Sequence, residues 1–137
     1  MNATVTDDGP SALTERIAGG PAAAARAREL LTDTLGESLP DDRLHDALLL
    51  TTELVTNAVR HADVSEARSL ELTVASEARR VRVAVTDPGG TSVPRMQEVD
   101  LMSPGGMGLF LVDQLSSRWG TERGSGGATQ VWFELQR

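Results

Sequence analysis

The chain has 137 residues, 39% of them hydrophobic, and a formal net charge of -7; that suits one core rather than two, and makes a poor electrostatic match to the phosphates of DNA or RNA. All 13 basic residues are arginine, which excludes lysine-dependent phosphate binding and Schiff-base chemistry and leaves backbone amides, a metal or arginine to meet any phosphate. Cysteine is absent, so there is no disulfide framework and no thiol nucleophile; no apolar run approaches the roughly 18 residues of a membrane span, and no basic-then-apolar leader signals secretion, so the expected location is the cytoplasm.

Residues 1–10 are polar and read as a flexible leader, with one domain over 11–137. A short edge strand is expected over 11–18. Gly19, Gly20 and Pro21 break the chain, and Pro21 suits the first turn of a helix. Residues 21–35 are rich in alanine and carry Leu30, Leu31 and Leu35, a helical pattern that Gly36 to Pro40 stops. A second helix starts at Asp41 or Asp42, either of which can cap it. Its Leu44, Ala47, Leu48, Val55, Ala58 and Ala62 recur at helical spacing and are expected in the core.

Residues 69–75 and 79–86 read as two strands joined by a turn at 76–79. The second alternates polar and apolar residues as a half-buried strand should. Pro88 to Gly106 holds three prolines and four glycines without periodicity, the mark of a long binding loop or lid. Met107 to Trp119 returns to helical spacing through Leu109, Val112 and Leu115. Gly124 to Gly127 is a turn, and Ala128 to Leu135 a final strand, with Val131 and Phe133 alternating against Trp132 and Glu134. This order predicts a two-layer α/β sandwich.

Three places could carry chemistry. Glu53 and Asn57 are one helical turn apart and project together. Glu53 interrupts an otherwise apolar and threonine-rich stretch, where a carboxylate is costly unless paired or used, and the Asn57 amide oxygen could ligate Mg²⁺; the plainer reading is a solvated helix face. Asp87 leaves its strand into Pro88 and Gly89. It could accept a hydrogen bond from a ligand amine, with Gly89 giving clearance, or be an ordinary turn aspartate. The Gly105-Gly106-Met107-Gly108-Leu109 stretch directly precedes a helix. It could cradle phosphates with backbone amides and the helix dipole, or be a linker.

Taken together, these segments resemble the GHKL ATPase superfamily. Glu53 to Asn57 matches its N-box, Asp87-Pro-Gly89 its first glycine box, and Gly106-Met-Gly108-Leu109 its second. Within the superfamily the chain is most similar to the small anti-sigma-factor serine/threonine-protein kinases. The segments Thr52 to Ala62, Gly106 to Val112, Arg118-Trp-Gly120 and Gly127 to Leu135 carry the likeness, which covers about residues 11–136.

The resemblance implies a mixed, mostly antiparallel sheet with helices on one face, the histidine-kinase-like ATPase fold. It implies ATP and Mg²⁺ as cofactors, with Asn57 holding the Mg²⁺ that bridges the phosphates. Asp87 would recognise the adenine amino group, with clearance at Gly89. Gly106 and Gly108 would cradle the phosphates, and Met107, Leu109 and Thr129 would complete the nucleotide site. Glu53 would be general base toward a serine hydroxyl on a STAS-type anti-anti-sigma partner. The other implied partner is a sigma factor, sequestered in a nucleotide-dependent switch, and the implied assembly is a homodimer. Position 91 is threonine where the first box often ends in glycine, and the lid carries Arg95 as its one basic residue. These departures favour an alternative, a nucleotide-responsive adaptor without kinase activity. His61 could border the site but is read as structural, and Trp119 and Trp132 are read as packing residues.

Overall fold

A computed structural model describes residues 11–61, 68–89, 106–124 and 127–137. The expected leader lies outside them, as do Ala62 and residues 90–105 of the expected long loop. The elements follow in the order β1 (Ser11–Ala18), α1 (Ala23–Leu35), α2 (Asp41–His61), β2 (Ser69–Ser76), β3 (Arg80–Thr86), α3 (Gly106–Leu115), β4 (Arg118–Arg123) and β5 (Thr129–Gln136).

The strands form one five-stranded sheet in the order β1-β2-β3-β5-β4. Every described pair is antiparallel, and the α/β sandwich expected from the sequence is the architecture observed. β2 and β3 form a tight hairpin closed by the Glu77 amide donating to the Arg80 carbonyl at 2.9 Å. β3 and β5 meet although α3 and β4 separate them in sequence, so the end of β3 lies beside the start of β5.

The helices cover one face. Ala27, Leu31 and Leu35 of α1, and Ala47, Leu50, Leu54 and Val55 of α2, pack with Leu72, Val74, Val83, Val85 and Phe133 in a single buried cluster. Burying these side chains is the main driving force, on the order of 1.5–3 kcal/mol for each large aliphatic residue. α2 starts with Asp41 and Asp42 in its first turn, where negative charge complements the helix dipole. Its inward stripe runs through Ala47, Leu50, Thr51, Leu54 and Val55; the expected core members Leu44, Leu48 and Ala58 sit at its half-buried margin.

One expectation needs correction. The third helix ends at Leu115 rather than Trp119, and Arg118–Arg123 is a strand. Ser116 and Ser117 end the helix: the Ser116 hydroxyl donates to the Val112 carbonyl, while the amide and hydroxyl of Ser117 both donate to the Glu134 carbonyl. Such side chains compete with the backbone for helical hydrogen bonds. β4 is a polar edge strand with no buried residue, so it lacks the alternation that would mark it in sequence.

β5 is buried on both faces: Trp132, read from the sequence as a packing residue, and Glu134 are 8% and 4% exposed. They lie on the face turned away from the helices. The Arg82 guanidinium stacks over the Trp132 ring at 4.1 Å, with Arg118 at 5.6 Å. Arg80, Arg82 and Arg118 stand 3.5–3.7 Å from the Glu134 carboxylate. Glu77 and Glu134 in turn raise the pKa of Arg80, the Glu77 hydrogen bond most of all.

Candidate nucleotide site

Asn57 is on the inward side of α2, 7% exposed, and neither its amide nitrogen nor its amide oxygen has a hydrogen-bond partner among the described residues. An orphaned buried amide costs about 1–3 kcal/mol, so its burial here points to a partner other than the described residues. Glu53, one turn earlier, is half-buried. Both residues lie on α2, one turn apart, and the plainer reading of a solvated face fails for Asn57.

Asp87 follows β3 directly and is 4% exposed. Its amide donates to the Thr129 carbonyl at 3.0 Å, continuing the β3–β5 ladder by one rung. Its Oδ1 accepts the Gly89 amide at 2.8 Å, closing an Asx turn over Pro88. Gly89 has φ 81°, a left-handed conformation open to glycine and strained for other residues. The Gly89 carbonyl accepts a hydrogen bond from the Arg68 guanidinium. Thr129 is 5% exposed, and its hydroxyl, like the Asn57 amide, lacks a partner among the described residues.

The third group occupies the start of α3. Gly106 is its first residue, and Met107, Gly108 and Leu109 follow in the first turn. The free amides of a helix N-terminus and its dipole suit an anion. α2 packs against α3 on one side and against β3 and β5 on another. The fold thus packs α2, which carries Glu53 and Asn57, against α3, which begins at Gly106, and against β3 and β5, the strands whose adjoining ends carry Asp87 and Thr129. His61 ends α2, Trp119 donates its indole N–H to Asp113 at 2.9 Å, and Thr91 and Arg95 lie outside the described residues.

A cleft of about 490 Å³ opens at the Asp87 end of the sheet, bordered by Arg16, Arg68, Glu71, Thr86, Asp87 and Ala128 among others. Of the residues expected in the site it takes in Asp87 alone. Arg68 is the contributor that sequence reading missed. It lies in neither a motif nor a periodic pattern, and only the folded chain brings it to Gly89.

Asn57 Oδ1 is a suitable hard oxygen for Mg²⁺, which binds through few protein ligands and completes its shell with phosphates and water. That this oxygen is buried with no partner among the described residues is the structural observation that fits such a role.

Among solved structures, the chain is similar to the RsbU and RsbW domains of Rv1364c from Mycobacterium tuberculosis, at 21% identity and TM-score 0.66, over 91% of this chain and 31% of that one. It is also similar to the SiaB–SiaC complex from Pseudomonas aeruginosa, at 14% identity and TM-score 0.60, over 91% of this chain and 89% of that one. At these identities the likeness is one of fold. This chain spans under a third of the mycobacterial protein it matches. No curated protein sequence matches it. The histidine kinase-like ATPase domain family matches residues 17–135, nearly the whole chain, and the protein therefore belongs to the histidine kinase-like ATPase domain family.

Proposed function

We propose that this protein binds Mg²⁺–ATP and transfers the terminal phosphoryl group to a serine of a STAS-type anti-anti-sigma partner, and that it sequesters a sigma factor in a nucleotide-dependent way. The observation that carries the nucleotide part is Asn57: a buried side-chain amide with both polar atoms unpartnered among the described residues, on a helix packed against α3, which begins at Gly106. The mycobacterial fold neighbour carries an RsbW domain beside an RsbU domain, and SiaB occurs in complex with SiaC. Both support a protein partner for this fold. A homodimer and a cytoplasmic location complete the reading. Among the described residues no helix is long and apolar enough to cross a membrane.

In this reading Asp87 accepts a hydrogen bond from the adenine amine, and Gly89 lets the base approach the backbone. The amides of Gly106 to Leu109 receive the phosphates, and Thr129 offers its hydroxyl to the base side of the site. Bound Mg²⁺ supplies charge neutralisation at the phosphates. Asn57 holds its oxygen toward the metal. Glu53, one turn away, accepts the serine hydroxyl proton as that oxygen attacks the γ-phosphorus, and ADP leaves. Phosphoryl transfer depends mainly on positioning and charge stabilisation, so a short set of groups suffices.

The test is calorimetry of ATP binding with and without Mg²⁺, repeated on Asn57→Ala. Mg²⁺-dependent binding lost in the variant supports the site; no binding by the wild-type chain up to millimolar ATP rejects it. The alternative is an adaptor without transfer activity, favoured by Thr91 in the first glycine box. A phosphotransfer assay separates the two, because the adaptor binds ATP but transfers nothing. If transfer occurs and survives Glu53→Ala, Glu53 is not the base.

A further inference from the structure

The turn carrying Asp87 is held at three points. The Asp87 amide is bonded to Thr129 at 3.0 Å, and the Gly89 amide to Asp87 Oδ1 at 2.8 Å. The third point is the Arg68 guanidinium, which donates to the Gly89 carbonyl from the start of β2. The first two fasten the near end of the turn and occupy one carboxylate oxygen. Neither restrains the Gly89 carbonyl, on the far side of a residue that sits at φ 81°. A left-handed glycine has many other conformations open to it. A bond from a permanently charged guanidinium removes that freedom more firmly than a neutral donor would.

We propose that Arg68 is a positioning residue for nucleotide-base recognition: by holding the Gly89 carbonyl it fixes the Asp87 turn so that Oδ2 faces the exocyclic amine of the base. The inference rests on the reading of Asp87 as the adenine acceptor. Without Arg68, the Gly89 peptide rotates, the Asp87 Oδ1 bond to the Gly89 amide loosens, and the carboxylate loses its fixed direction. The loss falls on ligands with an amine at that place. A base carrying a carbonyl there has no bond to Oδ2 to lose. Arg68 also borders the 490 Å³ cleft, so a small cation can reach its place from solvent when the side chain is removed.

The experiment is calorimetry of ATP and inosine triphosphate, which has a carbonyl in place of the adenine amine, on the wild-type chain, Arg68→Ala, Arg68→Lys and Asp87→Asn, with melting temperatures alongside. Arg68→Ala is expected to lose about tenfold in ATP affinity, the scale of one charge-assisted hydrogen bond, with inosine triphosphate affinity nearly unchanged. Arg68→Lys should fall between the two. Guanidinium chloride, well below denaturing concentration, should restore ATP binding to Arg68→Ala. A purely structural role would instead lower both affinities together and show no chemical rescue. The inference is overturned if Asp87→Asn loses the preference for ATP while Arg68→Ala and Arg68→Lys keep it within about twofold. If the wild-type chain binds neither nucleotide, or Asp87→Asn leaves the preference intact, the base-recognition reading fails and the inference falls with it.

Discussion

Asp87 and Thr129 form the last rung between β3 and β5, with the Asp87 amide donating to the Thr129 carbonyl at 3.0 Å. The rung is made by main chain, and the Thr129 hydroxyl takes no part in it. That hydroxyl is buried and unpartnered among the described residues. Thr129→Val, which keeps the shape and removes the hydroxyl, should therefore leave the melting temperature unchanged or slightly raised, while ATP affinity falls about three- to tenfold. Thermal denaturation and calorimetry on one preparation check this. A clear loss of stability would mean that the hydroxyl has a structural partner.

Asn57 separates stability from function in the same way. Replacing an orphaned buried amide with an apolar side chain of similar size removes a desolvation cost of about 1–3 kcal/mol. Asn57→Leu should melt higher than wild type in the absence of nucleotide and show no Mg²⁺-dependent ATP binding. A lower melting temperature would indicate that the amide is satisfied within the protein.

Gly89→Ala tests the left-handed turn. At φ 81° a Cβ costs about 1–2 kcal/mol. The variant should lose about that much stability or rebuild the turn, and either outcome weakens ATP binding more than Pro88→Ala does. Equal ATP affinity in Gly89→Ala and wild type would show that the turn geometry does not matter to the site.

Gly120→Ala tests the opposite face. A Cβ at Gly120 would come within 2.8 Å of the Trp132 ring, closer than packed atoms tolerate. Displacing a ring that the Arg82 guanidinium stacks over should cost about 1–3 kcal/mol, as overpacking does. Because β4 lies at the sheet edge, away from α2 and the start of α3, ATP affinity in the folded variant should stay within about twofold of wild type.

The helices and the hairpin were readable because their periodicities are strong. Residues 41–61 repeat apolar side chains at helical spacing, and 80–86 alternate, so the burial that drives folding is written locally. Asp87, Gly89 and Gly106 to Leu109 were recognisable as glycine-bearing segments leaving a strand or entering a helix. β4 was not readable. Its residues pair with β5 but none is buried, so no apolar alternation marks the strand in sequence.

By itself, the sequence determined the α/β layering, the helix that presents Glu53 and Asn57, and the glycine turns suited to a nucleotide, because all of these follow from spacing, side-chain volume and backbone freedom along a short stretch. The tertiary structure alone decided that Asn57 is buried without a partner among the described residues, that Arg68 reaches Gly89, and that Glu134 sits among Arg80, Arg82 and Arg118. Burial and ion pairing depend on which distant segments fold against one another, and no local pattern encodes that choice.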